Sequence, residues 1–284
     1  MRKLLTLTAA SLAATLALAG CAGGGSTDET PSPNPGDASG AAEGTEEIIV
    51  GASPVPHAKI LEYVRDNLAV DAGLTITIKE FDDYVLPNQA LADGELDANF
   101  YQHLPFLEQE MNEKGYEFEH GEGVHIEPLR LFAKEAKKAD ELPDGATVAI
   151  TNDVSNQARG LKLLEKAGLL KDVTLESSVL DLSEEQNPKG LQFEELQPDV
   201  VVQMVEDPKV DAAIVNANFV LGAGLDPDKA ILSEEVEGNP YANLLVWRAD
   251  NEKEGVKKLD ELLHSDEVKQ FVKKNWPSGD VLPG

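Results

Sequence analysis

A single cysteine, Cys21, serves a chain of 284 residues. It can form no intramolecular disulfide, and no zinc site can be built on thiolates. Basic residues are scarce, with 24 Lys and Arg against 52 Asp and Glu and a net charge of −28. Nucleic acid is excluded as a partner on that ground, because phosphate binding needs patches of Lys and Arg. Adhesion of the folded part to anionic lipid is excluded for the same reason. The acidity itself reads as solubility and names no ligand. Beyond residue 20 no apolar run is long enough to span a bilayer. Also missing are a G-x-S-x-G elbow, an H-E-x-x-H pair, a P-loop and a G-x-G-x-x-G turn. The expectation is therefore a protein without a cofactor that is not an enzyme.

What is present begins at the N-terminus. Arg2 and Lys3 precede an apolar run, Leu4 to Ala19, broken only by Thr6, Thr8, Ser11 and Thr15. A charged start, a short apolar core and small residues before a cleavage point make a signal peptide, residues 1–20. Leu18-Ala19-Gly20-Cys21 resembles the lipobox of bacterial lipoproteins, in which the Cys thiol is acylated and the chain is cut before it. Without Arg2 and Lys3 the mature charge is −30, from 22 basic and 52 acidic residues. Residues 21–46 then run through Gly, Ser, Thr, Pro, Asp and Glu with almost no large apolar side chain. Such a segment cannot repay its ordering entropy, and it reads as a flexible tether spanning roughly 25–30 Å. The expected location is the cell membrane, lipid-anchored on the extracytoplasmic face.

From residue 47 the periodicity alternates. Residues 47–53 read as a buried strand, and Ile60, Leu61, Val64 and Leu68 have helical spacing. Leu74, Ile76 and Ile78 alternate with Thr75, Thr77 and Lys79, which is strand spacing. Further helical and strand-like segments follow to residue 114. The pattern restarts after Pro143-Asp144-Gly145, with a strand at Thr147–Ile150 and a helix over Ser155–Ala167 ended by Gly168. Strands alternating with helices predict an α/β protein with parallel sheets, and two successive sets predict two lobes. In open α/β sheets ligands bind beyond the carboxyl ends of the strands.

Several loops at such positions carry polar and aromatic residues. Asn99 to Phe106 brings Phe100, Tyr101, His103 and Phe106 together, and aromatic residues at a strand end can line an apolar slot. Phe106 itself reads as core. Thr151 to Arg159 places Arg159 in the first turns of a helix, where free N–H groups and a guanidinium can seat an anion. The same residues also read as plain helix caps, with Arg159 paired to an acid; spacing does not choose between the two. Asn216-Ala217-Asn218-Phe219, Phe81-Asp82-Asp83-Tyr84 and Asn239-Pro240-Tyr241-Ala242-Asn243 complete the set.

Taken together, these segments resemble the NlpA/MetQ family of methionine-binding lipoproteins, the substrate-binding partners of methionine ABC importers. The resemblance rests on Gly51-Ala52-Ser53-Pro54-Val55-Pro56-His57, on Tyr84 to Leu91, on Asp97 to His103, on Asn152 to Arg159 and on Pro240 to Leu244, all in order. It implies a two-lobed periplasmic-binding-protein fold, type II-like, with the ligand in the interlobe cleft. Residues 47–137 and 240–284 would form the first lobe and 138–239 the second. It further implies L-methionine as ligand, with Arg159 on its carboxylate, helped by Asn156, Asn216 or Asn243. Phe81, Tyr84, Tyr101 and His103 would surround the thioether. The implied partners are an ABC transporter permease with its ATPase, and a membrane reached through lipid on Cys21. The competing readings are a binder of another small amino acid and a zinc-binding lipoprotein using Glu119, His120, Glu122 and His125, which lie close together on an expected loop.

Overall fold

The computed structural model describes residues 45–284, so the expected leader, Cys21 and all of the expected tether before residue 45 lie outside the described residues. The chain first lays down β1 (Glu46–Ala52), α1 (Lys59–Asn67), β2 (Leu74–Glu80), α2 (Leu86–Ala92), β3 (Ala98–His103), α3 (Leu104–Lys114) and β4 (Phe118–Ile126). It crosses over to β5 (Arg130–Ala133), β6 (Thr147–Thr151), α4 (Val154–Lys166), β7 (Gln192–Leu196), α5 (Pro198–Val201), β8 (Ala212–Val215), α6 (Ala217–Gly222) and β9 (Leu232–Ser233). It then returns through β10 (Ala242–Arg248), α7 (Glu254–Leu263), α8 (Asp266–Asn275) and β11 (Leu282–Pro283).

Two sheets result. The six-stranded one runs β11-β4-β10-β3-β1-β2 and the five-stranded one β7-β6-β8-β5-β9. Alternation sets the register of β2: Leu74 and Ile76 are buried while Thr75 and Thr77 face out. Ile60, Leu61 and Val64 make one face of α1 and join Ile48, Val50, Leu259, Val268 and Val272 in the core on one side of the first sheet. Leu91, Leu96, Leu107, Leu244 and Val246 fill its other side. The second sheet is covered likewise, by Leu161 and Leu164 of α4 on one face and by Val201 and Val220 on the other. Each fully buried side chain of this size contributes about 1.5–3 kcal/mol. No helix among the described residues is long and apolar enough to cross a membrane.

The sheets are mixed rather than parallel throughout. β1 pairs parallel with β2 and β3, and β6 with β7 and β8, as the alternation predicts. β10 runs antiparallel to β3 and β4, and β5 antiparallel to β8 and β9. The cause is connectivity. β5 and β10 each enter their sheet directly from the other lobe, with no crossover helix to turn them parallel. Residues 130–133, expected in the first lobe, hydrogen-bond as β5 in the second sheet. The chain thus passes between the sheets at 127–129 and again at 234–241.

Glu119 and His120, expected on a loop, lie on β4. Its sequence hides a strand because Gly121 and Gly123 interrupt any alternation. Gly123 is required by packing: a Cβ there would stand 2.5 Å from the Ala242 Cβ on the adjoining strand. Register shifts in the β4–β10 pairing flank Leu244, and such bulges re-aim side chains near functional sites.

Candidate functional site

The carboxyl ends of β1, β3, β6 and β8 face a small cavity between the lobes, the place where open α/β sheets seat their ligands. Tyr101, Gln102 and His103 reach it from the end of β3, Tyr84 from the loop before α2, and Asn243 from β10. The second lobe supplies Asn156 and Arg159 from α4 and Asn216 and Asn218 from the β8–α6 junction. Every residue expected to contact ligand lines this cavity except Phe81.

Phe81 follows the end of β2, and its N–H is bonded to the Ala52 carbonyl at 2.9 Å. Its ring packs over Gly51, where a Cβ would lie 3.0 Å from Cε2. It borders a separate depression together with Val55 and Phe219. It stands one residue past the end of β2 and packs on Gly51 beside Leu96, away from the cavity.

Hydrogen bonds span the two lobes at the cavity wall. Tyr84 donates its hydroxyl proton to Asn218 Oδ1 at 2.6 Å. His103 Nδ1 accepts the Phe106 N–H at 3.2 Å. Its proton therefore sits on Nε2, which donates to Asn156 Oδ1 at 3.0 Å. Asn216 Nδ2 donates to the same oxygen at 3.1 Å. Beside the cavity, the Ser155 N–H at the start of α4 donates to Gln109 Oε1 on α3 at 2.8 Å. The Tyr84 ring packs against Tyr101, Phe106 and Phe219. Phe106 is buried and lines the cavity as well, so the core role expected for it is only part of its position.

Arg159 is held by both crossover segments. Its Nε donates to Glu234 Oε1 at 3.0 Å and its Nη2 to Glu234 Oε2 at 2.5 Å. Nη2 also donates to the Glu127 carbonyl at 2.8 Å, and the guanidinium lies 4.3 Å from the centre of the Tyr241 ring. Burial acts to raise the Glu234 pKa, but the charge and hydrogen bonds of Arg159 outweigh it and hold the carboxyl below its usual range. Nη1 has no protein acceptor among the described residues. One edge of the guanidinium is therefore committed and the other is free. The two sequence readings of Arg159, acid-paired and anion-seating, are compatible in one side chain.

Sequence reasoning missed Glu127 and His57. Glu127 Oε1 accepts from His125 Nε2 at 2.8 Å and lies 3.2 Å from His57 Nε2. His57 Nε2 also stands 3.1 Å from Asn243 Oδ1. Burial raises the Glu127 pKa, and the neighbouring His57 and Arg159 act against that rise. Glu127 sits between two strands in a crossover, where no periodicity marks it; only the following Pro128 signals a break. Gln102 touches the cavity too, but its amide is spent on Asn88 and Asn99 at 2.7 and 3.0 Å. The suggested zinc cluster does not assemble: Glu119, His120 and Glu122 are exposed on β4 while His125 is buried.

Three imidazoles here are kept uncharged. Burial lowers the His57 pKa from 6.5 to about 4, with His125 assisting and Glu127 opposing. Burial is also the main cause at His103 and His125, each lowered from 6.5 to about 3. A ring with a depressed folded-state pKa takes up its proton more readily when unfolded. Its contribution is complete above pH 6.5 and is lost as pH falls towards the folded value. By pH 5 the loss is about 2 kcal/mol for each ring. The melting temperature should fall steadily from pH 6.5 to pH 4, and less steeply in His103→Gln. A flat profile over that range would contradict the burial of neutral rings.

A cleft between two α/β lobes, closed over a small cavity with one free guanidinium edge and one buried carboxylate, defines a two-lobed substrate-binding protein. Residues 48–284 match the NlpA lipoprotein family, and the chain belongs to it. It is 40% identical over 255 residues to the methionine-binding lipoprotein MetQ of Bacillus subtilis, covering 87% of this chain and 92% of that protein. It is 37% identical over 238 residues to the D-methionine-binding lipoprotein MetQ of Escherichia coli K12, covering 82% and 86%. Among solved structures it superposes on a nutrient-binding protein of Burkholderia cenocepacia bound to methionine. There the TM-score is 0.77 and the identity 37%, covering 84% of this chain and 99% of that one.

Proposed function

We propose that the protein captures methionine outside the cytoplasmic membrane and delivers it to the permease and ATPase of an ABC importer. The observation that carries this is the pairing of charges at the cavity: both the Arg159 guanidinium, whose Nη1 has no acceptor among the described residues, and the Glu127 carboxyl line it. A zwitterion needs both. The α-carboxylate takes Arg159, with the amides of Asn156 and Asn216 beside it. The ammonium takes Glu127, next to Asn243. Tyr84, Tyr101, His103 and Phe106 surround the side chain, and ring edges suit a thioether sulfur. The substrate-binding relatives and the absence of catalytic motifs support binding without catalysis. Six-stranded and five-stranded lobes joined by two crossovers support a clamp that opens for entry.

Lipid on Cys21 holds this clamp within reach of the permease, and the tether lets both lobes dock. One acyl chain binds a membrane only marginally, so the stable anchor carries more than one. Calorimetric titration of unfolded and refolded, ligand-free protein with L- and D-methionine tests the function. One site per chain and a raised melting temperature are expected; absence of heat with both enantiomers would refute it. Cys21→Ser should release the full chain from membranes with the methionine titration unchanged.

A further inference from the structure

Glu127 gathers two histidines that the amino-acid site does not need. His57 follows β1, His125 lies on β4 and Glu127 stands in the first crossover, with side chains 1%, 0% and 7% exposed. One donor atom from each lies within 4.8 Å of the others. His125 Nε2 and His57 Nε2 stand 2.8 and 3.2 Å from the same carboxylate oxygen. In a tetrahedral zinc site, bonds of about 2.0–2.1 Å put neighbouring donors roughly 3.3 Å apart. Asn243 Oδ1, 3.1 Å from His57 Nε2, adds a neutral oxygen on the cavity side.

We propose that His57, His125 and Glu127 bind a divalent cation of the zinc class, in competition with the ligand ammonium. The competition rests on the reading of Glu127 as the ammonium's partner; the metal site itself does not.

The imidazoles are in the neutral form that metals require. Nε2 of each now carries the proton given to Glu127 or Asn243. For metal binding that proton moves to Nδ1, and Nδ1 of both rings has no partner to lose among the described residues. The same vacancy sets the strength. Zinc-bound histidines ordinarily donate their second N–H to an acceptor, and loss of such a partner costs about 10–100-fold in affinity. The site is therefore exchangeable rather than a permanent structural one. His57, Glu127 and Asn243 line the cavity and give the ion its entry, while His125 closes the cluster from behind. A dication and an ammonium cannot share one carboxylate, so each excludes the other.

Ligand-free protein titrated with zinc chloride alone, in a non-coordinating buffer, should bind one ion per chain. With zinc at ten times its own dissociation constant, the apparent methionine dissociation constant should rise about tenfold. His125→Gln should weaken zinc binding at least tenfold. Cobalt(II) added to the unsubstituted protein gives a second readout independent of any variant: a tetrahedral visible band that methionine bleaches. No zinc binding in protein that binds methionine would overturn the metal site and leave the function standing. So would zinc affinity untouched in His125→Gln, or a cobalt band that survives saturating methionine. Zinc binding without methionine binding would instead remove the proposed function and keep the metal site.

Discussion

Arg159→Met should weaken methionine binding by about 3 kcal/mol or more, a loss of roughly a hundredfold and upward. Truncating one partner of a buried charge pair costs about 2–5 kcal/mol, much of it from the charge left alone. Two effects are mixed in that number, because Glu234 loses the guanidinium of Arg159 at the same time as the ligand carboxylate does. A buried carboxylate left unpaired destabilises the fold by about 3–5 kcal/mol. The double variant Arg159→Met with Glu234→Gln separates them. It removes both charges together, so the melting temperature should recover most of its loss while methionine affinity stays low. Recovery of affinity in the double variant would show that Arg159 holds the crossovers and does not hold the ligand. Glu234→Gln alone should bind methionine more weakly than the parent, because Glu234 fixes the guanidinium of Arg159 at the cavity wall.

The second large effect falls on Glu127→Gln. Methionine affinity should drop by about 2–4 kcal/mol, the range for a charged hydrogen-bond partner lost in a buried site. The glutamine oxygen can still accept from His125 and His57, so the fold should survive. The control lies in the ligand. A deaminated analogue, 4-(methylthio)butanoate, has no ammonium and should bind parent and variant about equally. If the variant weakens both ligands alike, Glu127 acts through the fold and not through the ammonium. Acidification should act in the same direction as the substitution. The Glu127 pKa is raised, so its charge is lost earlier than that of an exposed glutamate, and methionine affinity should fall with it.

The strands that alternate cleanly were visible in the sequence. Leu74, Ile76 and Ile78 announce β2, and helical spacing at Ile60, Leu61 and Val64 announces α1. β4 and β7 were invisible for opposite reasons. β4 is broken by Gly121 and Gly123, the second of which packing against Ala242 demands. β7 is an edge strand whose residues are largely exposed, so Gln192-Phe193-Glu194-Glu195-Leu196 carries little apolar pattern. The division between lobes was displaced at residues 130–133 because strand pairing, and not the Pro-Asp-Gly turn, decides which sheet a segment joins.

The site followed the same logic. Loops rich in Asn and aromatic residues at strand ends marked most of the cavity, since α/β sheets expose those ends. The sequence alone determined the acidic character, the alternation of strand and helix, and the loops worth attention. Each of these is local, written within a few residues by side-chain period and turn chemistry. Only the tertiary structure decided what the charges do. Arg159 finds Glu234 at a separation of 75 residues, and His57 finds Asn243 at 186. Pairings at such distances depend on where the chain crosses between lobes, and no local period records that. The same crossing brought Glu127 into the cavity.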